Sequence, residues 1–159
     1  MNRFEKVSPE QWARDSAGRI AASWEDIRLP ERKTRFAAGY DFCSPVTTAI
    51  TPGQTVMVPT GIRCGLDPDC MLLIAPRSGL ATRCGITLAN TVGIIDGDYY
   101  LNEDNEGHIL LALHNSSDEP QVISIGDRVA QGIILRYHTA YGAFIGDEER
   151  RGGFGSTGI

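Results

Sequence analysis

The sequence predicts an all-β domain of the sandwich, jelly-roll or small-barrel kind, preceded by one short helix. Three observations lead there. From Leu29-Pro30 onward, Gly, Pro and Thr punctuate the chain about every eight to twelve residues, the rhythm of short strands joined by tight turns. Segments between these breaks alternate apolar and polar residues, as in Gln121-Val122-Ile123-Ser124-Ile125, the period of a half-buried strand. Many short strands together with eighteen glycines favour such a fold over a βαβ architecture.

Taken in order, Ser8-Pro9-Glu10-Gln11 is a helix start. Ser8 stands at the N-cap, Pro9 at the first helical position and Gln11 where it completes a capping box, with the helix running to about Asp15. The strands expected after it are Phe36 to Phe42, Thr55 to Pro59, Gly61 to Gly65, Cys70 to Ala75, Ile86 to Leu88, Gly93 to Ile95, His108 to His114, Gln121 to Ile125 and Gln131 to Tyr137. From Gly146 the chain turns polar and charged, then ends in Gly152-Gly153-Phe154-Gly155-Ser156-Thr157-Gly158-Ile159. Such a tail has too little apolar surface to pack alone and is expected to be mobile when no ligand is bound. The chain thus divides into an N-terminal helical extension (1–28), a β-barrel (29–145) and a glycine-rich C-terminal arm (146–159).

With 159 residues and 42% hydrophobic residues, one domain can bury a real core without disulfides. No apolar run approaches membrane-spanning length, and the polar start Met1-Asn2-Arg3-Phe4-Glu5-Lys6 has no apolar signal-peptide region, so a cytoplasmic protein is expected. The net charge of −5 argues against a general nucleic-acid binder, which needs a basic face. Cys43, Cys64, Cys70 and Cys84 form no Cys-x-x-Cys pair, and His108, His114 and His138 are scattered, so buried free thiols and unligated histidines are expected.

Four stretches carry polar chemistry. Asn90-Thr91-Val92-Gly93-Ile94-Ile95-Asp96-Gly97-Asp98-Tyr99 sets a carboxylate behind an apolar run. By itself it reads either as a surface turn shaped by Asp96 and Asp98 or as a bent strand projecting Asp96 into a pocket. Pro76-Arg77-Ser78-Gly79 ends a strongly apolar strand with a guanidinium fork, a hydroxyl and a glycine amide, which suits an oxyanion or a solvated strand end. In Gly126-Asp127-Arg128-Val129-Ala130-Gln131, Asp127 and Arg128 can pair with each other, while Gln131 heads an apolar strand and needs a partner. The tail offers backbone amides, Ser156 and Thr157 for phosphate, arginines for charge and Phe154 for stacking on a base.

Together with Ala38-Gly39-Tyr40-Asp41, these stretches resemble the five ordered motifs of the homotrimeric dUTPase family, from about Leu29 to the C-terminus. The resemblance implies a distorted jelly-roll β-barrel and a trimer with active sites shared between subunits. It also implies Mg²⁺-dependent hydrolysis of dUTP to dUMP and pyrophosphate. Asp96 then matches the aspartate that holds the attacking water, and Tyr99 the tyrosine that packs on the deoxyribose and disfavours UTP. Asn90 and the backbone around Gly93 and Ile95 match the hairpin that reads uracil. Arg77, Ser78, Gly79 and Gln131 fall on phosphate-contacting positions, with Asp41 supporting the arginines. Phe154 would stack on uracil, Gly153, Gly155, Ser156 and Thr157 would wrap the phosphates, and Arg150 or Arg151 would supply charge. The metal would be held by triphosphate oxygens and water, with no protein ligand.

The sequence departs from the common pattern after Tyr99, where Tyr100-Leu101-Asn102-Glu103-Asp104-Asn105-Glu106-Gly107 makes a longer, more acidic hairpin, as in some phage and Firmicute members. It is read as a solvated hairpin, because the glutamate a calcium loop would need is replaced by Leu113. The related dCTP deaminases need a glutamate on the following strand, where this chain has Ala112. A nucleotide-binding regulator is the other reading, with the segment before Leu29 and the acidic hairpin as the places for a regulatory protein partner.

Overall fold

The structure, a computed structural model, describes residues 1–142. The first strand is β1 (Arg3–Lys6), followed by helix α1 (Pro9–Asp15), β2 (Ile20–Ala21), β3 (Tyr40–Cys43), β4 (Val46–Ile50), β5 (Thr55–Pro59) and β6 (Ile62–Gly65). Then come β7 (Cys70–Pro76), helix α2 (Ser78–Cys84), β8 (Ile86–Leu88), β9 (Gly93–Ile95), a 3-10 turn (Gly97–Tyr99), β10 (Leu110–Asn115), β11 (Gln121–Ile123) and β12 (Arg128–Arg136). The strands form small sheets ordered β3-β12-β7-β9, β5-β10-β8, β11-β4-β2 and β1-β6, every pairing antiparallel. This is an all-β, jelly-roll-like domain. No helix among the described residues is long and apolar enough to cross a membrane.

Period-two patterning decides which side chains enter the core. Leu72 and Ile74 on β7 point inward, as do Leu111 and Leu113 on β10, and they meet Phe42, Val46, Ile50, Ile62 and Ile86 in one apolar cluster. Four strand boundaries shift from expectation by two residues or more. The strand expected from Phe36 starts at Tyr40, because Thr34 to Ala37 closes a turn (Ala37 N–H to Thr34 O, 3.2 Å) and leaves Phe36 89% exposed. The one expected from His108 starts at Leu110, and β11 stops at Ile123 because the Ser124 N–H goes to the Asp127 carboxylate (2.8 Å). Strand β12 starts three residues before Gln131, at Arg128. Strand β4 lies outside the expected strands, although Val46-Thr47-Thr48-Ala49-Ile50 between Pro45 and Pro52 has the β-branched content of one. Helix α2 sets only Leu80 and Cys84, one turn apart and half-buried, against the core, an apolar pair too short to announce a helix.

The helix α1 runs where expected, with the Ser8 hydroxyl accepting the Gln11 N–H at 3.0 Å. The reciprocal half of the capping box does not form. The Gln11 side chain instead donates to Asp15 and accepts from Arg14, and the Ser8 N–H goes to Glu106 at 2.9 Å. Around the helix, residues 1–28 also supply β1 and β2, which pair with β6 and β4.

The acidic hairpin is solvated only in part: Leu101, Glu103 and Asp104 are exposed, and the rest turns inward. Asn102 and Gly107 are buried, Glu106 pairs with Arg63 at 2.9 Å, and Tyr100 donates to Glu5 at 2.6 Å. The N-terminal segment and the hairpin, both expected as sites for a partner protein, use these polar groups on each other.

Candidate active site

The polar end of the β3-β12-β7 sheet is built on Asp41. Its carboxylate is 8% exposed and accepts from two guanidinium groups, Arg77 just past the end of β7 and Arg128 at the start of β12 (3.1 Å for Arg128). Charge-assisted hydrogen bonds to one carboxylate fix both guanidinium forks in place. Arg128 therefore pairs with Asp41, and the neighbouring Asp127 closes a turn instead. Gln131 lies on β12 opposite Asp41 and Ala75, with its side chain over Gly39. A Cβ at residue 39 would stand 2.8 Å from the Gln131 Oε1, so only glycine leaves that amide its place. Ser78 and Gly79 are exposed at the first turn of α2, next to Arg77. A cleft of about 460 Å³ opens beside this cluster, lined by Arg77, Gly79, Arg128 and also Arg83, a third guanidinium that no motif pointed to.

The second cluster follows β9. A hollow of about 70 Å³ is lined by Asn90, Gly93, Ile94, Ile95, Ile74 and Ala112 among others. Its apolar wall and neighbouring backbone fit a flat base better than a charged group. Ala112, at the position where a deaminase would carry its acid, faces this hollow. Asp96 leaves β9 in an extended conformation, exposed to solvent, and begins the 3-10 turn that ends at Tyr99. Tyr99 is buried, 5% exposed, and its hydroxyl donates to the His108 carbonyl at 2.9 Å.

Asp96 and Arg77 lie at opposite ends of the same strand, β7. Ile95 is paired with Leu72 and Gly93 with Ile74, so Asp96 comes off beside the start of β7, while Arg77 follows its end. At about 3.3 Å per residue, the backbone positions of Asp96 and Arg77 are separated by roughly 20 Å. The structure brings Arg77, Arg128, Gln131 and Asp41 together, and Asn90, Gly93 and Ile95 together, but not Asp96 with the arginines. Arg150, Arg151, Gly153, Phe154, Gly155, Ser156 and Thr157 lie outside the described residues.

Of the four cysteines, only Cys84 lines the cleft beside Arg77, and none lines the hollow after β9. All four cysteines are free; Cys64 and Cys70 are buried, while Cys43 and Cys84 are only partly so. Burial pushes the Cys64 thiol up to about 12 and raises that of Cys43 as well, which leaves them protonated at neutral pH.

Comparison with known proteins agrees on one family. The dUTPase family profile matches residues 25–158. The deoxyuridine 5'-triphosphate nucleotidohydrolase of Lactococcus lactis is 41% identical over 133 residues, covering 83% of this chain and 89% of that protein. Its counterpart in Actinobacillus pleuropneumoniae is 38% identical over 148 residues, 89% and 92% of the two chains. The crystal structure of dUTPase from Streptococcus mutans superposes with a TM-score of 0.72 at 34% identity, covering 87% of this chain and 98% of that one. A dUTPase from phage phi11 of S. aureus shares the fold, with a TM-score of 0.69 at 19% identity over 94% of this chain and 98% of that one. With its motifs in order on this β-domain, the chain belongs to the dUTPase family, the deoxyuridine 5'-triphosphate nucleotidohydrolases.

Proposed function

We propose that the protein is a cytoplasmic homotrimer that hydrolyses dUTP to dUMP and pyrophosphate, limiting uracil in DNA and supplying dUMP for thymidylate synthesis. The observation that carries the shared site is the separation of Asp96 from Arg77 along β7. A carboxylate roughly 20 Å from the phosphate-binding arginines of its own chain cannot act on the triphosphate they hold. The Asp96 end of one subunit must meet the Arg77 end of another. That contact joins unlike surfaces, and repeated by rotation it closes into a ring.

In such a site Asn90 and the backbone at Gly93 and Ile95 read the uracil edge, and Tyr99 walls the sugar. Asp96 orients a water toward the α-phosphorus and takes its proton as the new O–P bond forms. The bond from the α-phosphorus to its bridging oxygen breaks, and pyrophosphate leaves with that electron pair. Arg77, Ser78, Gly79 and Gln131 of a second copy hold the phosphates, with Asp41 keeping the Arg77 and Arg128 forks in place. Phe154 and the arm residues Arg150 or Arg151, Gly153, Gly155, Ser156 and Thr157 close over base and phosphates.

The donor set fits a metal carried by the substrate. Mg²⁺ would bind triphosphate oxygens and water, the hard oxygen donors it prefers. When bound it neutralises phosphate charge.

Pyrophosphate release measured with dUTP, dTTP, UTP and dCTP tests the activity; the expected outcome is turnover of dUTP alone. Mixing Asp96→Asn with Arg77→Ala subunits tests the shared site. Each parent should be inactive and the exchanged mixture active, whereas no recovery after confirmed exchange would sink it.

A further inference from the structure

The segment from Tyr100 to Gly107 is far longer than a strand reversal needs, and its two asparagines are turned inward on Tyr99. Asn102 Nδ2 donates to the Tyr99 carbonyl at 2.8 Å, and Asn105 Nδ2 donates to the Tyr99 hydroxyl at 2.9 Å. The two amides are joined, Asn102 Nδ2 to Asn105 Oδ1 at 2.9 Å, so one unit grips the residue at its backbone and at the tip of its ring. The remaining acceptor capacity is used on the loop itself. Asn102 Oδ1 takes the N–H groups of Asp104 and Asn105, and Asn105 Oδ1 takes that of Gly107.

The backbone is strained to reach this arrangement. Leu101 and Glu106 both stand at φ 59°, a conformation unfavourable for residues with a Cβ. Gly107 follows at φ 78°, where a Cβ would lie 2.6 Å from the Tyr99 carbonyl oxygen. A solvated loop gains nothing from two strained residues and a buried Asn102.

We infer that Asn102 and Asn105 are positioning residues that set the Tyr99 ring as the wall against a ribose 2′-hydroxyl, so that this loop determines the discrimination of dUTP from UTP. The inference rests on the proposed role of Tyr99 at the sugar. A phenol ring tethered only at its Cβ can pivot and admit a hydroxyl. Held at the carbonyl, and at the hydroxyl by both Asn105 and the His108 carbonyl, it cannot. Glu106, in the same loop, is anchored on Ser8 and Arg63, which makes the N-terminal segment the far support of the wall.

Asn105→Asp keeps the shape but removes the donor and sets a carboxylate against two oxygens. The ratio of kcat/KM for dUTP over UTP should fall by about tenfold or more, through faster use of UTP. Tyr99→Phe deletes the hydroxyl at which both bonds meet and should lower the same ratio, which keeps the test open if Asn105→Asp does not fold. Tyr99→Ala calibrates the site. If Tyr99→Ala lowers the ratio while Asn105→Asp and Tyr99→Phe lower only the melting temperature, the loop is merely structural and the inference is overturned. If Tyr99→Ala leaves the ratio unchanged, the assignment of Tyr99 to the sugar fails, and the inference falls with it.

Discussion

Glu106 completes the cap of a helix that starts 98 residues earlier in the chain: its two carboxylate oxygens take the Ser8 N–H at 2.9 Å and the Ser8 hydroxyl at 2.6 Å. The Ser8 hydroxyl in turn accepts the Gln11 N–H. A capping box formed within one helix is local, whereas this one ties the helix to the loop beyond Tyr99. Arg63, at 2.9 Å from the same carboxylate, joins the barrel wall to both.

Glu106→Gln should destabilise the protein by about 1 to 2 kcal/mol, since the side chain keeps its shape but loses the charge-assisted bonds. Trp12 on α1 gives the local readout, its fluorescence changing before the main unfolding transition. Acid should act the same way. Burial pushes the Glu106 carboxyl up, but the Ser8 hydroxyl and N–H and the Arg63 charge outweigh it and hold it below its ordinary value of 4.5. The contribution is therefore complete above pH 4.5 and lost as pH falls through the lowered value. A Trp12 signal unchanged by Gln would show the cap to be dispensable.

His108 should remain neutral through the physiological range. It is 0% exposed, its Nε2 accepts the Gly61 N–H at 2.7 Å, and its Nδ1 faces Asp15, which assigns the proton to Nδ1. Burial drives its pKa below 6.5 despite the carboxylates of Asp15 and Glu106. Stability from this site is full above pH 6.5 and declines as pH falls below it toward the folded value. Nitrogen NMR should find an Nδ1–H tautomer at pH 7 and no titration near 6.5. His108→Phe strands the Gly61 N–H and should cost about 2 to 3 kcal/mol in urea unfolding.

Asp41→Asn should affect both stability and activity. Asp41 is buried, but Arg77 and Arg128 are 28% and 46% exposed, so removing the carboxylate charge that anchors them should cost about 1 to 2 kcal/mol. Misplaced phosphate forks should lower kcat/KM for dUTP by roughly a hundredfold. Steady-state pyrophosphate release checks this, and near-normal activity would show that Arg77 and Arg128 hold their places unaided.

Gly39→Ala should act on Gln131 alone. The added Cβ at 2.8 Å from the Oε1 pushes the amide aside without touching the Arg77–Asp41 pair. A rise in KM for dUTP with little change in melting temperature is expected, matched by Gln131→Ala. A Gly39→Ala enzyme with normal KM would separate Gln131 from substrate binding.

Much of the barrel was legible because a strand with one buried face repeats every two residues. Thr55–Pro59, Ile86–Leu88 and Gly93–Ile95 stand at the residues expected. Where burial is weak the signal disappears. Helix α2 packs only Leu80 and Cys84 against the core, and the turn at Thr34 to Ala37 leaves Phe36 in solvent, so neither carries an apolar period long enough to read.

The sequence alone determined the family, the order of the motifs and the residues on each, because turn glycines and strand alternation are local properties. Only the tertiary structure decided which motifs meet. Register along β7 put Asp96 and Arg77 at opposite ends, and antiparallel pairing with β12 put Arg128 on Asp41 and not on Asp127. It also turned the hairpin beyond Tyr99 into a brace: Asn102 and Asn105 fold back on Tyr99, three and six residues earlier, while Glu106 finds Ser8 by approach in space, 98 residues away, a distance no local pattern encodes.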